Sequence, residues 1–337
     1  MISIAINGFG RIGRTFLRTI LQDQHAKKQI KVAVINGGPM DISTMAHLFK
    51  YDTVMGIYAG SVRGEKDQLR VDDVSIALVA QRDPLPHLWK SYKVDWVVDC
   101  SGCYTQRDQA EHHIQAGAKA VLISAPATDE DVSLIPGVND DVFDPERHKI
   151  VSLGSCTTNA MMTTLKVLHD ACHISHAFIT TVHAYTSTQS LLDSCGTDLR
   201  RARAAAVNIV PAHTGAEEMV GKIMPELKDR VYASAVRVPV DCVSLLDVTA
   251  WVEKKVTVKQ VHNAIEDAAK GRMKNSIDIV YEPLVSSDFK GNSKSVIIDG
   301  LLSHVEEQVV KVYGWYDNEW GYSCRMKDFL INILEKN

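Results

Sequence analysis

Gly8-Phe9-Gly10-Arg11-Ile12-Gly13 sets three glycines at G-x-G-x-x-G spacing, directly after the apolar run Ile2-Ser3-Ile4-Ala5-Ile6. Residues 2–6 read as a short strand, 7–13 as a turn and 14–22 as a helix with Phe16, Leu17, Ile20 and Leu21 on one side. A second apolar strand follows over residues 30–35. Glycines placed this way let the backbone approach a pyrophosphate and let the helix N-terminus stabilise its charge. A plain Gly-rich turn has the same spacing, so the strand–turn–helix–strand context is what carries the dinucleotide reading.

Further along, Trp96-Val97-Val98-Asp99 and Ala120-Val121-Leu122-Ile123 are apolar runs that end in Cys100-Ser101-Gly102 and Ser124-Ala125-Pro126. Strands that end in small residues and turns suit a doubly wound parallel sheet, which binds its ligand over the strands' carboxyl ends. Before them, residues 45–78 alternate polar turns and short apolar runs, which predicts inserted antiparallel strands at 61–63 and 74–79. A site that prefers NAD normally carries an acid at the end of its second strand, for the adenosine ribose. Here that strand ends Asn36-Gly37-Gly38, and the nearest acid, Asp41, lies beyond Pro39 and Met40. The usual carboxylate is missing, which leaves room for a 2′-phosphate.

The sequence has 337 residues, too many for one ordinary core, so two domains are expected. Its 37 Lys+Arg against 41 Asp+Glu give no electrostatic case for nucleic acid or an anionic membrane surface. No uninterrupted apolar stretch reaches membrane-spanning length, and the N-terminus lacks a signal-peptide pattern. Seven scattered cysteines suit reduced thiols and a cytoplasmic protein. Cys100 and Cys103 form a C-x-x-C, but no second pair stands at metal-ligand spacing. No metal is expected.

Cys156 has different surroundings. Ser155-Cys156-Thr157-Thr158-Asn159 precedes an apolar run, residues 161–171, that reads as a helix. A cysteine just before a helix start feels the positive end of the dipole and unpaired N–H groups, which favour thiolate. Most cysteines are simply small buried hydrophobes, so position alone leaves both readings open. Residues 178–182 read as a strand with His183 at its end. The long polar segment 184–210 carries Arg200, Arg201 and Arg203 and leads into Pro211-Ala212-His213-Thr214-Gly215, whose hydroxyl and flexible backbone suit an anion pocket. A basic cluster is usually only a solvated face. Strand-like runs at 231–238, 243–252 and 305–316, with a helix-like 259–270, suggest a mostly antiparallel sheet with helices on one face. The amphipathic end, 325–335, is expected to pack back on the nucleotide domain.

These motifs, in this order, resemble phosphorylating glyceraldehyde-3-phosphate dehydrogenase over essentially the whole chain. The matches run from Ala5–Arg14 through Lys50-Tyr51-Asp52-Thr53, Gly117-Ala118-Lys119, Ser155–Asn159, His183-Ala184-Tyr185-Thr186, Thr214-Gly215-Ala216 and Arg237-Val238-Pro239 to Trp315-Tyr316-Asp317-Asn318-Glu319. The resemblance implies a Rossmann-type dinucleotide domain over 1–154, completed by a C-terminal helix 319–337, and an α+β catalytic domain over 155–318. It implies Cys156 as nucleophile and His183 as base. Substrate phosphate then falls to Thr186, Arg201 and Arg237, and attacking inorganic phosphate to Ser155, Thr157, Thr214 and Gly215. Arginine suits such sites because its planar fork pairs with two phosphate oxygens. For the cofactor it implies Gly8, Gly10, Arg11, Ile12 and Gly13 at the pyrophosphate, Arg82 near adenine, and Ser124, Asn318 and Tyr322 near nicotinamide. The family is usually a homotetramer.

The sequence departs from the pattern in four places. Gly37 replaces the acid of NAD-using members and Ser194-Cys195 a Leu-Pro pair, as in members that accept NADP, so NAD or NADP, with dual or NADP-leaning use, is expected. Leu153-Gly154 stands where Asn-Ala is usual, and Ala160 replaces a second cysteine. The sister activity on erythrose 4-phosphate is the nearest alternative. A binding protein that kept the fold, and a cysteine hydrolase, are the others; the hydrolase leaves the dinucleotide turn unexplained.

Overall fold

The computed structural model describes residues 1–336; Asn337, the end of the expected terminal helix, lies outside the described residues. Two compact units divide the chain. Residues 1–134, 141–154 and those from Ser323 onward form the first, and residues 135–140 and 155–322 the second.

In chain order the first unit holds β1 (Ile2–Asn7), α1 (Arg11–Leu21), α2 (Gln24–Gln29), β2 (Ile30–Asn36), α3 (Ile42–Lys50), the hairpin β3 (Tyr51–Asp52) and β4 (Gly56–Ile57), β5 (Val62–Glu65), β6 (Gln68–Val71), β7 (Val74–Val79), α4 (Leu88–Ser91), β8 (Trp96–Asp99), α5 (Arg107–Gln115), β9 (Ala120–Ile123), β10 (Val132–Ser133) and β11 (Ile150–Ser152). The sheet runs β10-β11-β9-β8-β1-β2-β7-β6-β5. From β10 to β7 every pairing is parallel. The central strands are covered on both faces, so β8 and β9 are buried at every position, and continuous apolar runs mark them in the sequence.

Three expectations for this unit need correction. Helix α1 begins at Arg11, not residue 14, because Gly10 takes the extended N-cap conformation and its carbonyl already accepts from Arg14 N. Residues 74–79 are not part of an antiparallel insert alone. Strand β7 pairs antiparallel with β6 but parallel with β2, and so extends the main sheet. Helix α3 was not anticipated; Asp41 caps it by accepting from Thr44 N, and Met45, Ala46 and Phe49 bury its inner side.

The second unit holds α6 (Cys156–Cys172), β12 (Ile174–Ala184), β13 (Val210–Ala212), α7 (Val220–Ile223), β14 (Val231–Val238), β15 (Ser244–Val252), α8 (Val258–Lys270), β16 (Ile277–Val280), β17 (Val296–Asp299), β18 (His304–Glu306) and β19 (Val309–Tyr316); α9 (Trp320–Lys336) begins here. Its sheet runs β13-β14-β12-β15-β19-β17-β16, with β18 beside β19. Only β12–β14 and β16–β17 are parallel, so the sheet is mostly antiparallel, as the spacing of the strands predicts. Met161, Met162, Leu165 and Leu168 of α6 pack with Leu246, Val248, Val310 and Val312 in one core. His183 lies inside β12 rather than after it, and α6 starts at the cysteine itself.

Candidate active site

In the second unit, Ser155 is the N-cap of α6. Its hydroxyl accepts from Thr158 N at 3.0 Å while Ser155 N donates to the Thr158 hydroxyl at 3.1 Å, a reciprocal capping box. Cys156 is therefore the first residue of the helix, where N–H groups lack intrahelical acceptors. His183 comes to it from β12, with Nε2 3.5 Å from Sγ. Because β12 and β14 are parallel and in register, Arg237 is the direct neighbour of His183 across the ladder. Its Nη1 stands 2.6 Å from His183 Nδ1 and donates to the Ala184 carbonyl at 2.9 Å.

The electrostatics differ from the sequence expectation at one point. The helix start does not by itself make Cys156 a thiolate. Burial pushes the thiol pKa up, and the Arg237 charge and hydrogen bonds from Thr157 only partly oppose this. Burial and the adjacent Arg237 cation hold His183 down to about 3, against a backbone hydrogen bond with Ala184. Arg237 is partly buried, and among the described residues no carboxylate pairs with it; its Nε is buried without a hydrogen-bond partner. Arg201 is near enough for its charge to act on Arg237. Two cations with too little countercharge suit a bound anion.

Tyr316, at the end of β19, was not singled out from the sequence although it lies within the Trp315–Glu319 motif. Its buried hydroxyl bonds Thr157 Oγ1 at 3.0 Å and Thr181 Oγ1 at 2.6 Å, and its ring meets His183 edge-on. No local signal marks this residue, since its partners lie 159 and 135 positions away.

The other expected residues are placed as follows. Thr186, just past β12, bonds Thr188, and Arg201 bonds the His213 carbonyl and Asp198. The Thr214 hydroxyl accepts from Ala216 N, and Gly215 faces open space. No hydrogen bond among the described residues joins Thr186, Thr214 or Gly215 to Cys156 or His183. The hydroxyls of Ser155 and Thr157 are engaged by Thr158 and Tyr316. Asn318 is buried and accepts from the Ser244 hydroxyl at 3.3 Å, and Tyr322 is buried in α9. Ser194 and Cys195 are exposed, with Ser194 bonded to Ser190.

The first unit has a cleft of 590 Å³ at the carboxyl ends of its strands, lined among others by Gly8, Gly10, Gly37, Arg82 and Cys100. Gly8 has φ +92° and its α-carbon lies against the Ser101 backbone, so a side chain there would strike the loop after β8. Gly13 lies buried in α1 behind it. Arg11 is held by Asp52 at 2.6 Å. Burial opposes ionisation of that carboxyl, but Arg11 and the Val54 and Met55 N–H groups hold it below the usual range. Arg11, Ile12, Gly13 and Ser124 are outside the set that lines the cleft; Ser124 N bonds the Asp99 carbonyl. Under the cleft runs a buried network that the sequence did not reveal. Asn36 donates to Asn7, Asn7 to Asp99 at 2.6 Å, and Asp99 faces His113 Nε2 at 3.2 Å. Trp89 Nε1 donates to His113 Nδ1, so Nε2 carries the proton and donates to Asp99. The network ties together the ends of β1, β2 and β8, three of the strands that border the cleft. A glycine-lined crevice of this kind fits a dinucleotide.

Comparisons with known proteins agree with this architecture. The profile described as glyceraldehyde 3-phosphate dehydrogenase, NAD binding domain, matches residues 2–107, and that of the C-terminal domain matches residues 155–318. The chain is 44% identical over 336 residues to glyceraldehyde-3-phosphate dehydrogenase 2 of Bacillus subtilis (strain 168), covering 99% of this chain and 97% of that protein. It is 44% identical over 336 residues to glyceraldehyde-3-phosphate dehydrogenase of Geobacillus stearothermophilus, covering 99% of each. The same enzyme of Mycobacterium leprae (strain TN) is 43% identical over 339 residues, covering 100% of this chain and 99% of the relative. With both domain profiles matched in order and relatives aligned nearly end to end, the chain belongs to the glyceraldehyde-3-phosphate dehydrogenase family.

Proposed function

We propose that the protein oxidises glyceraldehyde 3-phosphate with inorganic phosphate to 1,3-bisphosphoglycerate, with residues 1–154 and the C-terminal helix binding the dinucleotide and residues 155–318 carrying the chemistry. The observation that carries this reading is Cys156 at a helix start with His183 Nε2 3.5 Å from its sulfur and Arg237 beside the histidine. Cys156 sulfur adds to the aldehyde carbon, and the resulting hemithioacetal loses its hydroxyl proton to His183. The bound nicotinamide supplies the hydride acceptor for the oxidation. A thioester to Cys156 remains, and inorganic phosphate displaces the sulfur and leaves with the acyl group. The thioester conserves oxidation energy that hydrolysis would dissipate. Arg237 and Arg201, with Thr186, would hold substrate phosphate; Thr214, Gly215 and the first turn of α6 at Ser155 and Thr157 would hold the attacking phosphate. The three relatives described above carry the triose name, which disfavours the tetrose alternative.

The cofactor is NAD at the level of the matched domain, and we extend this to dual or NADP-leaning use. Support comes from Gly37, where no carboxylate stands, and from Asp41, whose carboxylate is occupied by Ser43 and Thr44 at the start of α3. Arg82 is exposed on the cleft wall and offers a cation. Asn318 and Tyr322 would serve the nicotinamide end. The decisive experiment measures turnover of both aldehydes with both cofactors, with and without inorganic phosphate. Equal or better turnover of the tetrose reverses the substrate assignment, and a hundredfold NAD preference, about 2.8 kcal/mol, removes the NADP extension.

A homotetramer in the cytoplasm completes the proposal. Phe178, Tyr232 and Trp251 form an exposed aromatic cluster across β12, β14 and β15, and Leu191, Leu192 and Leu199 are exposed in the loop after β12. Exposed apolar patches of this kind mark association surfaces. No helix among the described residues is long and apolar enough to cross a membrane. Light scattering on the purified protein tests the assembly; a monomer at micromolar concentration would refute it.

A further inference from the structure

Arg82 stands on the wall of the nucleotide cleft, and its two neighbours in the chain are both tied down. Gln81 N donates to Asn36 Oδ1 at 2.9 Å, and the same oxygen accepts from Gly38 N at 3.2 Å. Asn36 thus joins the loop after β7 to the loop after β2. On the other side of Arg82, the Tyr104 hydroxyl donates to Asp83 Oδ1 at 2.9 Å. Both anchors lead back to His113 in the buried network, Asn36 through Asn7 and Asp99, and Tyr104 through its ring, whose centroid lies 4.6 Å from that of His113. Arg82, Asp83 and Tyr104 all line the cleft.

Asp83 is the obvious partner for Arg82, since it is the next residue and is exposed as Arg82 is. Yet among the described residues no ion pair or hydrogen bond engages the Arg82 guanidinium. The cause lies in the tyrosine. Its buried ring, held against His113 and edge-on to His112, fixes the position of the hydroxyl, and the hydroxyl holds the carboxylate. A hydrogen bond to an ionised acceptor is about twice as strong as one between neutral groups. Asp41, the acid that ends the loop after β2, bonds the Ser43 and Thr44 hydroxyls. The acids of both loops are therefore engaged by hydroxyls and not by Arg82.

We infer that Tyr104 is a positioning residue for cofactor specificity: by holding the Asp83 carboxylate it keeps the Arg82 guanidinium open to another anion, the 2′-phosphate of an adenosine ligand. A ribose 2′-hydroxyl is neutral and gains much less from the same guanidinium, so the arrangement separates the two cofactor types. Phenylalanine at 104 would keep the ring packing and release Asp83, which then competes with the 2′-phosphate for Arg82. Tyr104 touches neither the phosphate nor Arg82 in this scheme and acts only through Asp83. The inference rests on the proposed use of NADP.

The test is calorimetric titration of the full-length protein, freed of dinucleotide, with two probes, adenosine 2′,5′-bisphosphate and adenosine 5′-monophosphate. Wild type should bind the bisphosphate more tightly. Tyr104→Phe should lose roughly two- to fivefold of that preference, the strength of an exposed ion pair, with its affinity for the monophosphate unchanged. In an Asp83→Ala background the same Tyr104→Phe change should leave the preference where it was, because no carboxylate remains to be released. A Tyr104→Phe protein with the wild-type preference, an equal loss of affinity for both probes, or an undiminished loss of preference in the Asp83→Ala background would each overturn the inference. Failure of the NADP reading is seen separately, in the wild type alone, as no preference for the bisphosphate, and it removes the inference as well.

Discussion

Met45, on the inner side of α3, fills the space that a side chain on Gly37 would need; a Cβ built at Gly37 meets the Met45 thioether and its methyl. The missing acid at the end of β2 is therefore not a free choice at one position. An aspartate at 37 requires the flexible end of the buried Met45 side chain to swing aside, a rearrangement at the lower end of the overpacking cost, about 1 kcal/mol. Gly37→Asp alone is expected to lower Tm and weaken binding of both cofactors. Gly37→Asp with Met45→Ala should recover much of the stability and raise the NAD to NADP ratio of kcat/KM. Equal Tm for wild type and the single variant would show that the methionine yields freely.

Removing the imidazole of His183 should lower kcat by roughly 10²–10⁴-fold, the usual contribution of a positioned acid–base group. His183→Asn keeps a polar side chain at the site, so its KM for the aldehyde should change far less than its kcat. Steady-state kinetics at fixed phosphate and cofactor separates the two.

The same residue sets a pH dependence of stability. Its folded pKa lies at about 3 against an ordinary 6.5, so between these values the unfolded chain binds a proton that the folded chain does not. This contribution to stability is present above pH 6.5 and is lost as pH falls towards 3. Wild type should therefore lose Tm on acidification from pH 6.5 to 4 faster than His183→Gln does. Parallel curves would place the loss elsewhere.

In the nucleotide unit, His113 is fully buried and bridges Trp89 to Asp99. His113→Leu leaves the Trp89 N–H without its acceptor and takes a donor from Asp99, at a cost of about 2–4 kcal/mol. Because Asp99 also holds Asn7 and the Ser101 N–H beside the cleft, cofactor Kd should rise more than aldehyde KM. Fluorescence titration with NAD and a thermal melt test the two effects.

What the sequence made legible follows from how local each feature is. The turn at Gly8 to Gly13 and the start of α6 at Cys156 are fixed by residues within one turn of each other, and short motifs expose them. The apolar runs of β8 and β9 stand out because both faces are buried. Helix α3 had a readable pattern, Asp41 followed by Met45, Ala46 and Phe49, but lay in a stretch of short polar and apolar alternation that also reads as strand. Arg237 beside His183 and Tyr316 beside Thr157 depend on register between strands far apart in sequence. No spacing rule shows such pairings. The pull of the helix start towards thiolate at Cys156 is local and legible, whereas the burial that pushes the thiol's pKa up depends on residues far apart in sequence.

Tyr316 allows one more test, since its hydroxyl is buried and bridges Thr157 and Thr181. Tyr316→Phe keeps the ring against His183 and removes only that oxygen. Two buried threonine hydroxyls then lose a partner, which should cost about 1–3 kcal/mol of stability. Thr157 stands next to Cys156 in the first turn of α6, where the attacking phosphate is proposed to bind, and loss of its partner lets its side chain rotate. The deacylation half of the reaction should therefore suffer more than the acylation half. A pre-steady-state burst of reduced cofactor of near wild-type amplitude, followed by a slower steady state with raised KM for inorganic phosphate, is the expected result. A lost burst with unchanged KM for phosphate would instead assign Tyr316 to the alignment of His183, whose ring it meets edge-on at 6.0 Å.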